Sequence, residues 1–97
     1  MIYLKKNISQ ESEVIAICDS DLIGKKLFDK GLVLDITERF YKGELLNEEE
    51  IIEILKNAKN INIVGKEAVK LALKIGIIEE ENILKIQNIP HALVFGI

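Results

Sequence analysis

The stretch INIVGKEAVKLALKIG, residues 61–76, constrains the fold of this chain more than any other part of it. Apart from Asn62, its opening residues are apolar and β-branched, which is typical of a strand that is covered on both faces. Gly65 permits a tight turn, and after it the apolar residues follow a helical period. Gly76 stands where a left-handed residue commonly ends a helix. We therefore predict a buried strand, a glycine turn and an amphipathic helix.

The helix predicted after Gly65 has two distinct sides. Its apolar residues recur at helical spacing and should face the core: Ala68, Val69, Ala72, Leu73 and Ile75. Lys66, Lys70 and Lys74 follow one another at intervals of four residues on the opposite side. Such a stripe is either a solvated face or a surface that meets the phosphates of RNA.

A second helix is predicted after Asn47. The side chains of Asn47 and Glu50 have the spacing of a capping box, in which each satisfies a backbone N–H group of the other. The core-facing residues of this helix should be Ile51, Ile52, Ile54, Leu55 and Ala58. A shorter helical turn is predicted over residues 38–41, because Thr37 can cap it.

The remaining apolar segments predict strands, at residues 2–6, 14–18, 32–36, 82–86 and 89–97. Residues 25–28 fit no single element. Gln87 and Asn88 should join the last two strands as a hairpin, since Asn tolerates the left-handed conformation of such turns. Pro90 cannot donate to a strand ladder, so the last strand should begin at a sheet edge or at a bulge.

These elements define the fold class that we predict. A length of 97 residues fits one domain spanning residues 1–97, and no linker or composition break divides it. The elements amount to five to seven strands, two main helices and short helical turns. We predict a single compact domain of the α/β class, with α+β as the alternative, built on one mixed β-sheet.

Charge and cysteine content exclude several classes of protein. The net charge of −3 argues against a protein that coats nucleic acid non-specifically, although a local basic patch is compatible with it. One cysteine cannot form an internal disulfide. No apolar run reaches the roughly 18 residues of a membrane span, and the N-terminus lacks the apolar core of a signal peptide. We expect a cytoplasmic protein with no membrane association.

Two glycine–lysine pairs are candidate ligand-binding turns. Gly65 and Lys66 lie between a predicted strand and a helix, where backbone N–H groups and the helix dipole favour a phosphate. Gly24 and Lys25 repeat this pattern locally. Neither a Walker A loop nor a dinucleotide fingerprint is present, and Glu67 stands where a magnesium-binding Ser or Thr would be. The alternative is a tight turn without a ligand.

Cys18 and His91 are the candidate catalytic residues, and each is the single residue of its kind. A thiol–imidazole pair requires the fold to bring them together, with a carboxylate to complete the site. Asp19 and Asp21 should raise the pKa of the Cys18 thiol, so a buried cysteine at a strand end is the alternative. His91 follows Pro90 and is either a ligand-anchoring group or a structural histidine.

Other polar residues suggest weaker possibilities. Asp19 and Asp21 can hold a magnesium ion, but capping of a helical turn explains them more simply. One Cys and one His cannot supply the four ligands of a structural zinc site, so we predict no metal site. Tyr41 and Glu44 lie in the segment FYKGE at residues 40–44, whose aromatic side chains can stack on a nucleotide or fill the core.

Five of these segments together resemble a known family. They are CD at 18–19, LIGK at 22–25, FYKGE at 40–44, NIVGK at 62–66 and IPHA at 89–92. The set is similar to the small archaeal proteins grouped as domain of unknown function 424, and the resemblance covers nearly the whole chain. Gln87 and Asn88 stand where a glycine pair is common in that family, and Lys66 stands where an acid is common. The resemblance implies a common origin and the extent of the domain, and it implies no activity.

The patterns favour a non-catalytic binding module for an anionic partner, either RNA or a phosphate-bearing ligand, with a role in translation or RNA handling. The predicted ligand-binding residues are Gly24, Lys25, Tyr41, Glu44, Gly65, Lys66 and His91. The alternative is a small enzyme whose pocket uses His91, Cys18 and a carboxylate. A protein partner is compatible with either function, and the patterns assign no cofactor and no oligomeric state.

Overall fold

The computed structural model describes residues 1–96 and contains a six-stranded mixed sheet, a two-stranded sheet and three helices. The strands are β1 (Ile2–Ile8), β2 (Glu13–Asp19), β3 (Lys26–Asp29), β4 (Leu32–Asp35), β5 (Glu44–Leu46), β6 (Asn60–Val64), β7 (Leu84–Ile86) and β8 (Ile89–Val94). The helices are α1 (Glu38–Tyr41), α2 (Glu48–Leu55) and α3 (Lys66–Lys74), and 3-10 turns lie at Ser20–Leu22 and Glu80–Asn82. The architecture is α+β, which confirms the predicted mixed sheet with two main helices.

The six-stranded sheet places β2 and β6 at its centre, in the order β5-β1-β2-β6-β8-β7. All neighbouring strands are antiparallel except β2 and β6, which are parallel. A parallel pair needs a long crossover, and here the β3–β4 hairpin, α1, β5 and α2 all lie within it. The central position of β2 and β6 explains why β2 is apolar from Val14 to Cys18 and why Ile61, Ile63 and Val64 of β6 are buried.

One face of this sheet, which we call the helix side, is covered by α2 and α3. The capping box of Asn47 and Glu50 is formed, with Asn47 Oδ1 accepting from the Glu50 N–H at 2.9 Å. Leu55 is buried and Leu73 partly buried, which confirms the predicted helical phase. Gly76 has φ +79°, and the Ile77 N–H donates to the Ala72 carbonyl, so α3 ends in a Schellman motif as predicted.

The opposite face, which we call the hairpin side, is covered by the β3–β4 hairpin and α1. Its buried residues are Ala16, Cys18, Leu22, Leu27, Leu34, Ile36, Tyr41, Val64 and Ile86. The β3–β4 hairpin contacts the β7–β8 turn, where Asp29 Oδ2 accepts from the Gln87 N–H at 3.0 Å. Gln87 and Asn88 both have positive φ, which confirms the predicted hairpin turn.

Some elements differ from expectation. Residues 25–28, which fitted no element, contribute β3, and β5 was not predicted at all. Pro90 does not lie at a sheet edge, since β8 runs between β6 and β7. It is tolerated because the β6 ladder ends at Val64, which pairs with His91, and Pro90 is opposed there by Gly65, whose N–H donates to the Pro90 carbonyl at 2.9 Å. Ile97, the end of the predicted last strand, lies outside the described residues.

Candidate functional site

Three of the segments singled out in the sequence meet at one side chain, Asn62 of β6. Asn62 Oδ1 accepts a hydrogen bond from the Tyr41 hydroxyl at 3.0 Å, and it lies 3.1 Å from His91 Nε2. Val64 faces the hairpin side. Asn62 faces the same side because it lies two residues before Val64 in β6, and His91 does so because it pairs with Val64 from β8. The structure therefore brings together Tyr41 and His91, and their common partner is a residue that the sequence did not identify.

The protonation of this cluster follows from its burial. Burial lowers the pKa of His91 below its ordinary value, so the ring is neutral near pH 7. Burial also raises the pKa of Tyr41 to about 12, with the nearby Cys18 adding to the effect, so the hydroxyl keeps its proton. With the tyrosine donating to Asn62 Oδ1, the same oxygen can accept a second bond if Nε2 carries the imidazole proton. Neutral His91 then retains Nδ1 as an acceptor.

Cys18 does not pair with His91. The register aligns Cys18 with Val64 and Val64 with His91, so β6 separates them by two strand spacings, about 10 Å. Cys18 is fully buried, and its Sγ donates to the Asp19 carbonyl at 3.3 Å. Burial, followed by the charges of Asp19 and Asp21, raises the pKa of the thiol to about 12. A thiol held in this state is a poor nucleophile at neutral pH, so the geometry does not favour the enzyme alternative.

The glycine turn before α3 carries an internal anion. The Asp19 carboxylate is 5% exposed and accepts from the Glu67 N–H at 3.0 Å and the Ala68 N–H at 2.8 Å. Burial raises the pKa of Asp19, while these two hydrogen bonds act in the opposite direction. Gly65 has φ +108°, and a Cβ at this position would lie 2.3 Å from Asp19 Cγ. The glycine is needed because the carboxylate approaches the backbone so closely.

This arrangement bears on the predicted phosphate turn at Gly65 and Lys66. A phosphate at a helix N-terminus accepts from the free N–H groups of the first turn. Two of those groups, on Glu67 and Ala68, already donate to Asp19, and the carboxylate would repel a second anion. The geometry therefore disfavours a phosphate in the turn itself, although the Lys66 side chain is exposed beside it.

The other predicted ligand-binding residues lie apart from the Asn62 cluster. Gly24 has φ +89° and its N–H donates to the Ile36 carbonyl, while the Lys25 N–H donates to the Leu22 carbonyl. The first bond joins the segment after the 3-10 turn to the residue that follows β4, and the second is local to the turn. Glu44 pairs with Leu4, a residue of the helix-side core, so its side chain projects to the face opposite the cluster.

A second feature lies on the helix side, in a groove between α3 and the β7–β8 hairpin. Lys66 and Lys70 of α3 and Lys85 of β7 line it, and its volume is about 590 Å³. Four apolar residues, one acidic residue and one amide complete the lining, so the lysines outnumber the acid by three to one: Val69, Leu73, Ile83, Pro90, Glu80 and Asn88. We call this feature the basic groove. The sequence identified two of its three lysines, whereas Lys85 lies in the strand predicted at 82–86 and only the tertiary fold brings it beside α3.

The ion pairs of the described chain leave the groove lysines available. Within residues 1–96, the ion pairs are those of Lys56 with Glu53, Lys74 with Glu48, and the terminal amine with Glu67. Lys74, the third residue of the predicted stripe, is thus paired with Glu48 on another surface.

Within residues 1–96 no three His, Cys, Asp or Glu side chains cluster as metal ligands, and no helix is long and apolar enough to cross a membrane.

Fold and site together define a small α+β domain with a side-chain cluster on one face of its sheet and a basic groove on the other. The chain belongs to the family described as protein of unknown function (DUF424), whose model matches residues 7–97. No curated protein matches it. The crystal structure of an uncharacterized conserved protein from Methanopyrus kandleri is similar, with a TM-score of 0.74 and 26% sequence identity, and the match covers 99% of this chain and 93% of that one.

Proposed function

We propose that this protein is a binding module for single-stranded RNA, which it contacts through the basic groove. The observation that carries the proposal is that Lys66, Lys70 and Lys85 converge on one groove without an ion-pair partner among residues 1–96. Lysines placed in this way bind phosphate as point charges. A net charge of −3 makes a local basic feature more informative than it would be on a basic protein.

The shape of the groove supports a strand rather than a lone phosphate. Its floor is apolar and is formed by Val69, Leu73 and Pro90, of which Leu73 is partly exposed, and a base or ribose can cover such a surface. Lys66 and Lys70 are one helical turn apart, about 6 Å along α3, so they can reach different phosphates of the same strand. The volume of about 590 Å³ lies within the range of typical ligand sites.

The proposed cellular setting is the cytoplasm, in translation or RNA handling. The single cysteine is free and buried, which is compatible with a reducing compartment. Catalysis is not part of the proposal, because the thiol and the imidazole are separated by β6.

Fluorescence anisotropy with a labelled mixed-sequence RNA tests this function. We compare the wild type with a variant carrying Lys66→Ala, Lys70→Ala and Lys85→Ala. A control with Lys6→Ala, Lys42→Ala and Lys56→Ala removes the same charge from other surfaces. Three phosphate contacts predict a salt slope near −2, which is on the order of a 20-fold loss of affinity between about 50 and about 200 mM salt.

The groove variant should bind at least about tenfold more weakly than the wild type at low salt, and the control should remain close to it. Equal losses in the two variants would mean that net charge alone attracts the RNA. Absence of binding by the wild type at low salt would contradict the proposed function.

A further inference from the structure

The hairpin side contains a pocket that none of the features above uses. It lies at the end of β6 and β8 away from Gly65, has a volume of about 450 Å³, and is lined in part by Val14, Phe40, Asn62, Leu93 and Phe95. Leu93 is 45% exposed and Phe95 is 78% exposed, so neither side chain is needed for the core. We call this cavity the Asn62 pocket.

Asn62 gives the pocket a defined polarity. Its Oδ1 accepts from the Tyr41 hydroxyl at 3.0 Å and lies 3.1 Å from His91 Nε2. The structure places the amide oxygen on these two partners, so the tyrosine hydroxyl donates to it and Nδ2 lies at the other end of the amide. The Nδ2 group donates to no residue within 1–96. A molecule that enters the pocket therefore meets an amide donor among apolar and aromatic side chains.

We propose that the Asn62 pocket binds a nucleobase, which stacks on Phe40 or Phe95 and accepts a hydrogen bond from Asn62 Nδ2. An amide donor in apolar surroundings gains most from a ligand that offers a carbonyl oxygen or a ring nitrogen. Aromatic side chains add stacking on a planar ring, and every base has such a face. The volume leaves room for one base with part of its sugar.

This site is independent of the basic groove. Asn62 and Leu93 lie on the hairpin side, whereas α3 and Pro90 border the groove on the helix side. The base can come from a free nucleoside or from an RNA strand, and the chemistry of recognition is the same for both. The two sources can be separated by using uridine and a short uridine oligonucleotide as probes.

Nuclear magnetic resonance of the side-chain amide of Asn62 gives the direct test. Titration of the full chain with uridine, or with the oligonucleotide, should shift this resonance together with the Leu93 and Phe95 backbone amides. Asn62→Asp keeps an acceptor for Tyr41 and His91 but replaces the donor with a second acceptor, so affinity should fall at least about tenfold. Phe95→Ala removes an exposed ring and should weaken binding by about fivefold or more without affecting the fold.

The groove variant with three lysines replaced serves as a control, since it should retain the affinity for uridine. Saturable binding of uridine would assign the pocket to free nucleosides, and binding of the oligonucleotide alone would assign it to a base within a strand; either result supports the site. Three results would overturn it: no shift of the Asn62 amide with either probe, wild-type affinity in both variants, or equal binding of toluene, which cannot accept the hydrogen bond.

Discussion

The two sides of the main sheet are built in different ways. The helix side is closed by α2 and α3, and its hydrophobic cluster is entirely aliphatic, with the buried carboxylate of Asp19 at the start of α3. The hairpin side is covered by shorter elements, and it holds the buried thiol, the tyrosine and the half-buried Asn62 and His91. The helix side is the more fully covered of the two, and its candidate functional feature, the basic groove, lies on the outer surface of α3. The side with the weaker cover leaves polar groups of the sheet itself accessible.

The largest effect should come from truncating one fully buried isoleucine on each side. Ile51 lies in the helix-side core and Ile36 in the hairpin-side core, and both are 0% exposed. Such truncations cost about 2–5 kcal/mol, depending on how far the surroundings can collapse. We expect Ile51→Ala near the upper end, because two helices and the sheet enclose it. Ile36→Ala should be near the lower end, because the two-stranded hairpin above it can settle.

Urea unfolding followed by circular dichroism measures both values. Leu84→Ala serves as the control, since this side chain is 48% exposed and its loss should cost less than about 0.5 kcal/mol. A greater loss for Ile36→Ala than for Ile51→Ala would show that the hairpin side is the better packed of the two.

A smaller effect is expected at the junction of β6 and α3. Gly65→Ala places a methyl group against the Asp19 carboxylate at a φ of +108°, a region that only glycine occupies readily. The expected loss is on the order of 3 kcal/mol. Gly24→Ala is the matched control, because Gly24 also has positive φ but a Cβ there has no atom within 4 Å. It should cost about 1–2 kcal/mol.

Thermal unfolding of both glycine variants separates backbone strain from the close approach of Asp19. Equal losses at the two positions would mean that Asp19 moves aside without cost. In that case the Asp19 carboxylate would not be held firmly enough at the N–H groups of Glu67 and Ala68 to exclude a phosphate from them.

The smallest expected effect is a pH dependence that arises on the hairpin side. Burial lowers the pKa of His91 below the unfolded value of about 6.5. The unfolded chain therefore binds a proton before the folded chain does, and stability falls as the pH drops from about 6.5 through the lower folded pKa. His91→Gln should lose this part of the dependence between about pH 7.5 and about pH 5.5.

Melting temperatures across this range provide the measurement, with Tyr41→Phe as the control. The control removes a hydrogen bond to Asn62, worth about 0.5–1.5 kcal/mol, but keeps the histidine and its pH dependence. An unchanged pH profile in His91→Gln would indicate that the imidazole titrates as freely in the folded chain as in the unfolded one.

The helix side could be predicted from the sequence because its signals are local. The capping box at Asn47, the apolar period of α3 and the left-handed Gly76 each depend on residues within a few positions of one another. The strand β6 was identifiable for the same reason, from a run of β-branched residues. These signals need no knowledge of the tertiary fold.

Two strands could not be predicted to the same extent, namely β3 on the hairpin side and β5 at the edge of the main sheet. The strands β3 and β5 have four and three residues, too few to establish an alternation, and each is fixed by its partner strand. Phe28 points outward and is 58% exposed, so β3 does not resemble a buried strand. Its assignment required the partner β4.

The candidate site shows the same limit. Asn62 had one usable signal, namely a polar residue inside a strand predicted to be covered on both faces. Its partners Tyr41 and His91 lie 21 and 29 residues away in sequence, and only the sheet brings them together. The glycine–lysine turn is predicted as a candidate phosphate site or a turn without a ligand, and the carboxylate that occupies its N–H groups, Asp19, could be found only from the structure.

The hydrogen bonds from α3 to Asp19 also bear on how quickly the chain can fold. They join residues 48 and 49 positions apart, and the parallel pairing of β2 with β6 spans a similar separation. A contact of this kind appears only after the intervening chain has closed into a large loop, which carries an entropic cost before any native energy is gained. Topologies dominated by such contacts cross their folding barrier slowly. The β1–β2 hairpin is local, but the pairing of β2 with β6 must wait for residues 60–68, so completing the centre of the sheet requires most of the chain to be present.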